Sequence, residues 1–304
     1  VDAFGNESVA AMLTVDTAST SNSVETALQT GDARHVLNAD KLIIAALQTL
    51  ETKKGIPSLL TALYGGEPIA YAPGNRTQVI KMDESVETTL PILTGNKGKT
   101  LAMAGTTATS RYAAFGMSPP ELFQDGNSLD YVAPFNRLLA WLMAGEPIDS
   151  TVLTQNKKIA LSFANNDRRD ILDWIAAAHP TWTVIECNTV TDLVTCYNSV
   201  DLVMTGWKGS NDDAPAIKQA LSTVMGSGKP VLYMHTWYEA YNDVAHAIAD
   251  LLNFSLPYGG NYWANDAAAW ENVSAMQGYV WDNLGLSGIE TMLRHFRDKD
   301  YNFD

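Results

Sequence analysis

The residues through which this chain could do chemistry are two cysteines, five histidines and one Gly-Lys-Thr string. Cys187 directly follows an apolar stretch that reads as a strand, TWTVIE. A thiol there could act as a nucleophile if a base such as His235 reached it. Nucleophilic turns of that kind are flanked by glycine, because a tight, strained turn exposes the sulfur and builds oxyanion donors. Glu186 and Asn188 flank Cys187 instead. Cys196 stands nine positions further on. A disulfide across so short a loop is the competing use and would place the chain in an oxidising compartment; two buried, reduced thiols are the other alternative.

Metal and phosphate chemistry find less. Zinc peptidases carry His-Glu-x-x-His, which sets two ligands and a general base on one helical face. None of His35, His179, His235, His246 and His295 stands in that pattern. His235 and Glu239 are four apart, but His235 ends a strand, so no metal site and no cofactor is expected. The string GNKGKT at 95–100 has only two residues between its glycines and runs into an apolar strand, so it reads as a turn rather than a phosphate loop. Neither Gly-x-Gly-x-x-Gly after a strand nor Gly-x-Ser-x-Gly is present.

What remains is positional and depends on the elements. KKIALSF, TWTVIE, DLVMTG and KPVLYMH read as strands alternating with helices near 167–178, 190–196, 215–225 and 239–252. The first helix directs Ile171, Leu172 and Ile175 inward. The fold class is α/β, a parallel sheet flanked by helices on both faces in three flavodoxin-like layers. QVIKM, TTLPILTG, TLAMAG and RYAAFG add extra antiparallel strands with tight turns, and helices are expected at 38–50, within an N-terminal helical segment, and at 135–144 and 286–296. The organisation is a polar linker or tail over 1–30, a helical segment with short strands over 31–150 packed onto the main sheet, and the parallel α/β domain over 151–304.

In such sheets the carboxyl ends of the strands face the binding crevice. Here they carry Asn165, Asn166 and Asp167, then Glu186 and Asn188, then Gly206 and Trp207, then His235, Thr236 and Trp237, of which Asn166, Asp167, Trp207, His235 and Trp237 are the candidates for binding. Two indoles beside amide, carboxylate and imidazole would suit a sugar or peptide, by stacking and by fixing hydroxyls or amides. The plainer use is Asn166 and Asp167 as helix caps with the tryptophans packed beneath loops. A further aromatic group, Trp263, Trp270 and Trp281 with Tyr258, Tyr262 and Tyr279, reads either as a functional loop or as a satellite core.

A net charge of -14 leaves no concentrated basic face, so nucleic acid is excluded as a partner. No apolar run approaches the roughly 18 residues of a transmembrane helix.

The runs ALSFANND, ECN, TCY, DLVMTG and GKPVLYMHTW, in that order, together with GDARHVLNAD and RYAAFGMSP upstream, resemble the N-terminal, non-catalytic region of the AcfD/SslE/ImpA-type bacterial surface metallopeptidases. The resemblance covers about residues 30 to 300. It implies a class I glutamine amidotransferase-like fold without that chemistry, ahead of a separate enhancin-like zinc peptidase domain in the same polypeptide. It also implies a secreted or surface-anchored protein, of the kind that includes lipoproteins and colonization factors, directed at mucins and other glycoproteins. This chain would then provide structural support or recognition of a glycoprotein or glycan. Two alternatives come from the residues themselves: an amidotransferase- or hydrolase-like enzyme using Cys187, and an envelope module binding a sugar or small molecule.

Overall fold

The computed structural model describes residues 59–64, 69–71, 77–83, 88–94, 100–164, 167–235, 242–256 and 273–275. All lie in one compact unit, Ser58–Val280. The helices expected at 38–50 and 286–296, the linker or tail over 1–30, the turn at 95–99, Asn165, Asn166, Trp237 and the aromatic stretch from Tyr258 to Trp281, apart from 273–275, lie outside the described residues.

The chain runs through helix α1 (Leu59–Tyr64), strands β1 (Ile69–Tyr71), β2 (Lys81–Met82), β3 (Thr89–Thr94), β4 (Thr100–Thr106) and β5 (Arg111–Phe115), then helices α2 (Pro119–Gln124) and α3 (Val132–Ala144). An alternating series follows: β6 (Lys157–Ser162), α4 (Arg168–Ala178), β7 (Trp182–Glu186), α5 (Leu193–Asn198), β8 (Leu202–Thr205), α6 (Ala214–Gly226), β9 (Val231–Met234) and α7 (Asp243–Leu251). Two short strands, β10 (Phe254–Ser255) and β11 (Val273–Ala275), pair with β2 and β1.

The main sheet has seven strands in the order β3-β4-β5-β9-β8-β6-β7. It is mixed rather than purely parallel. Neighbours from β5 through β9, β8 and β6 to β7 run parallel, while β3, β4 and β5 form an antiparallel meander. The four later strands follow the order 2-1-3-4 in their own succession, which reverses direction between β6 and β8. Such a reversal is the switch point of a doubly wound sheet. Strand β5, from far earlier in the chain, takes the place beside β9.

Helices cover both faces. Tyr112 and Ala114 of β5, Ala160, Val203, Val231 and Tyr233 share one core with Ile217, Leu221 and Val224 of α6 and Val244 and Ile248 of α7. Phe115, pointing the other way by strand alternation, meets Phe135 of α3 at 5.6 Å, and Phe135 meets Trp174 of α4 at 5.3 Å between ring centres. The inward stripe of α4 is therefore Ile171, Trp174 and Ile175. Leu172, expected there, is only half-buried, because Trp174 lies three residues from Ile171 and fills the space beside Phe135.

Local chemistry sets the ends of these helices. Gly145 follows α3 at φ +83°, a conformation that favours glycine, and Arg111 Nε donates to the Leu142 carbonyl 3.0 Å away in the last turn. Asn242 caps α7, its Oδ1 accepting from Val244 N at 2.7 Å.

Candidate functional site

The carboxyl ends of β5, β9, β8 and β6 lie side by side. Register brings Phe115 opposite Met234 and Thr205 opposite Tyr233, so the residues that follow leave the sheet along one edge. His235 N donates to Phe115 O at 2.9 Å, extending the β5–β9 ladder by one rung.

At the switch point the loops after β6 and β8 are bonded to each other. Gly206 N donates to Ser162 O at 2.8 Å and Lys208 N to Phe163 O at 3.0 Å. A Cβ on Gly206 would stand 2.3 Å from Phe163 O, so only glycine permits this approach. Phe163 itself takes φ +52°, unusual for a bulky residue, and its N–H is held by Asn188 Oδ1 at 2.9 Å. Cys187 N donates to Leu161 O at 2.9 Å. Among the described residues, the three loops after β6, β7 and β8 are thus bonded to one another at the switch point.

Beneath that edge, on the face covered by α5 to α7, runs a set of internal polar groups. Ser162 Oγ and Tyr197 OH are 2.7 Å apart, and burial pushes the Tyr197 phenol up to about 12. Tyr233 OH and His235 Nδ1 are also 2.7 Å apart, with Tyr233 raised well above its ordinary value by burial. Both phenols stay protonated across the biological range. The indole of Trp207 stacks on the His235 ring at 5.7 Å with planes 19° apart, and Lys208 Nζ lies 5.2 Å from the centre of the indole ring.

Three of the five residues expected to line a rim are described. Asp167 occupies the position before α4 and is wholly buried; His235 is wholly buried; Trp207 is 7% exposed. The structure brings Trp207 and His235 together through internal stacking. The sequence placed Asn188 and Gly206 at strand ends; what it did not show is that both meet Phe163, which lies 25 positions from Asn188.

Cys187 and Cys196 form a disulfide with Cα atoms 6.1 Å apart. This overturns the reading of Cys187 as a nucleophile served by His235, since a sulfur in a disulfide has no thiolate to offer. Position argues the same way. Cys187 follows the edge strand β7 while His235 follows β9, three strand spacings away, about 14 Å. Among the described residues no group of three His, Cys, Asp or Glu side chains is placed to hold a metal ion, and no helix is long and apolar enough to cross a membrane.

Comparison with known proteins adds the family. The immunomodulating metalloprotease of Pseudomonas aeruginosa is 26% identical over 262 residues, which span 85% of this chain and 27% of that protein. The chain therefore covers about a quarter of that relative's length. The solved structure of the IMPa metallopeptidase from the same organism has a TM-score of 0.57 at 22% identity, covering 93% of this chain and 30% of that one. The structure of IMPa metallopeptidase in complex with T-antigen gives a TM-score of 0.56 at 21% identity, covering 86% and 29%. At these identities the structural likeness speaks for the fold. Residues 59–262 of the 304 match the immunomodulating metalloprotease N-terminal domain, and the chain belongs to that family.

Proposed function

We propose that this chain is a non-catalytic accessory domain of a secreted or surface-anchored bacterial zinc metallopeptidase that acts on mucin-type glycoproteins. The observation that carries the reading is the family match over 59–262. Solved structures of IMPa in complex with T-antigen and with an O-glycopeptide support the substrate class. The zinc motif then belongs to another part of the polypeptide, since His-Glu-x-x-His does not occur here. An amidotransferase-like ancestry without amidotransferase chemistry is supported by the 2-1-3-4 order of β6 to β9 and by the oxidised Cys187.

Within that role, structural support of the peptidase is favoured over glycan binding at the strand ends. A sugar stacks on an accessible aromatic face, and Trp207 and His235 are internal. The test is to incubate the purified chain and the full-length gene product separately with an O-glycosylated mucin and to follow fragments by electrophoresis. Cleavage is expected from the full-length protein alone. Cleavage by this chain, or a full-length product lacking His-Glu-x-x-His, overturns the reading.

One observation favours a second reading, an envelope module for a sugar or small molecule. Trp207 Nε1 is buried with no hydrogen-bond partner, and an indole N–H is a donor that would accept a ligand oxygen as its partner. A rise in melting temperature with added mono- or disaccharide supports this reading, and no rise across a glycan panel removes it.

A further inference from the structure

The segment that joins β7 to α5 is tied to the body of the protein at few points. Thr189, Thr191 and Asp192 are exposed, and the turn Val190–Asp192 buries no side chain. What holds the segment is the Cys187 N–H on Leu161 O at its start, the Asn188 side chain on the Phe163 N–H, and the disulfide from Cys187 to Cys196 in α5. Asn188 itself is exposed, so its hydrogen bond competes with water and holds only while the backbone is kept in place. Phe163 needs that bond: its φ of +52° costs a bulky residue free energy, and its carbonyl takes Lys208 N–H at the switch point.

We propose that the Cys187–Cys196 disulfide is a thiol-sensitive latch on the switch point, holding Asn188 against Phe163 and so keeping the loops after β6 and β8 closed. Cys187 is buried in the core, whereas Cys196 is partly exposed and is the sulfur a reductant meets first. A thiolate of a dithiol attacks Cys196, the S–S bond breaks, and Cys187 leaves as a thiolate that takes a proton. The second thiol of the reductant then releases Cys196 as a thiol and closes the reductant's own disulfide, so two electrons and two protons pass to the protein. The 188–192 segment loses its tether, Asn188 leaves Phe163, and Phe163 relaxes to negative φ. The pair Phe163 O to Lys208 N opens with it, while the β5–β9 ladder, which lies beyond β6 and β8 from β7 in the sheet, stays formed.

The test is amide hydrogen exchange on the oxidised chain, on the chain reduced and alkylated, and on C187S/C196S. A second variant, N188A, leaves the disulfide intact. Expected are at least about tenfold faster exchange at Phe163 and Lys208 on reduction, the same change in N188A, and unchanged protection in β5 and β9. Protection at Phe163 that survives reduction overturns the latch. Uniform loss of protection in the reduced form and in C187S/C196S also overturns it, because the disulfide would then hold the whole fold. Protection at Phe163 that persists in N188A removes Asn188 as the link.

Discussion

Two histidines are buried against a tryptophan at opposite edges of one sheet. His235 follows β9 at the carboxyl edge, with Trp207 at 5.7 Å and Tyr233 OH on its Nδ1. His179 ends α4 at the amino edge, with Trp182 stacked at 4.0 Å, Trp174 edge-on at 5.1 Å and Asn136 Oδ1 3.2 Å from Nε2. The two arrangements use the same chemistry: an imidazole, an indole face and a neutral hydrogen-bond partner. Only the first lies where a doubly wound sheet binds ligands. A stacked Trp–His pair therefore packs a core as readily as it builds a site, and its place on the sheet is what earns attention.

Four measurements break or sharpen that comparison, from the largest effect to the smallest. Removing the Trp207 indole should cost about 3–5 kcal/mol in urea denaturation, the range for a large buried aromatic; a Trp207→Ala protein of unchanged stability would show that the carboxyl-edge pair is no core. The amino-edge pair should respond to pH. Burial lowers the His179 pKa from 6.5 to about 4. Between those values the unfolded chain binds a proton that the folded chain refuses. The stabilisation is fully present above pH 6.5 and is lost as pH falls toward 4. Denaturation midpoints measured from pH 7.5 to 4 should show this fall, and His179→Gln should flatten it.

Gly206→Ala comes third. A methyl 2.3 Å from Phe163 O has to push the two switch-point loops apart, at about 2–3 kcal/mol, and thermal unfolding should register it. An equal melting temperature would mean that the closure at that point is loose. The smallest effect belongs to the bidentate Arg168–Glu186 pair, which ties the start of α4 to the end of β7 in full view of solvent. Water and salt screen such a pair, so Arg168→Ala should leave the urea midpoint within error at 0.15 M salt, about physiological ionic strength.

Much of the architecture was legible because it is written in local pattern. KKIALSF, DLVMTG and KPVLYMH are apolar runs bounded by turn residues, and all three are strands buried from both sides. Pro215 and the spacing of Ile217, Leu221 and Val224 mark α6 as plainly as any helix in the chain. The cysteine pair, nine residues apart, was compatible with a disulfide or with two thiols, and the fold joins the two sulfurs in a disulfide.

The site was less legible, for a reason visible in two residues. Trp207 and His235 have the side chains of a sugar platform, and type says nothing of which way a side chain faces once a loop folds back. Their strand-end positions, derived from the sequence alone, were correct; their burial depends on loops from three strands meeting, which involves partners 25 and more positions apart.

By itself the sequence determined that this is an α/β chain of alternating strands and helices without a complete catalytic motif, because periodicity and motif spacing are properties of neighbours along the chain. Only the tertiary structure decided that β5 enters beside β9, that the antiparallel strands continue the same sheet, and that Gly206, Phe163 and Asn188 meet at the switch point. Those outcomes rest on hydrogen bonds and close approaches between segments far apart in sequence, and no local pattern encodes which distant backbone will supply the partner.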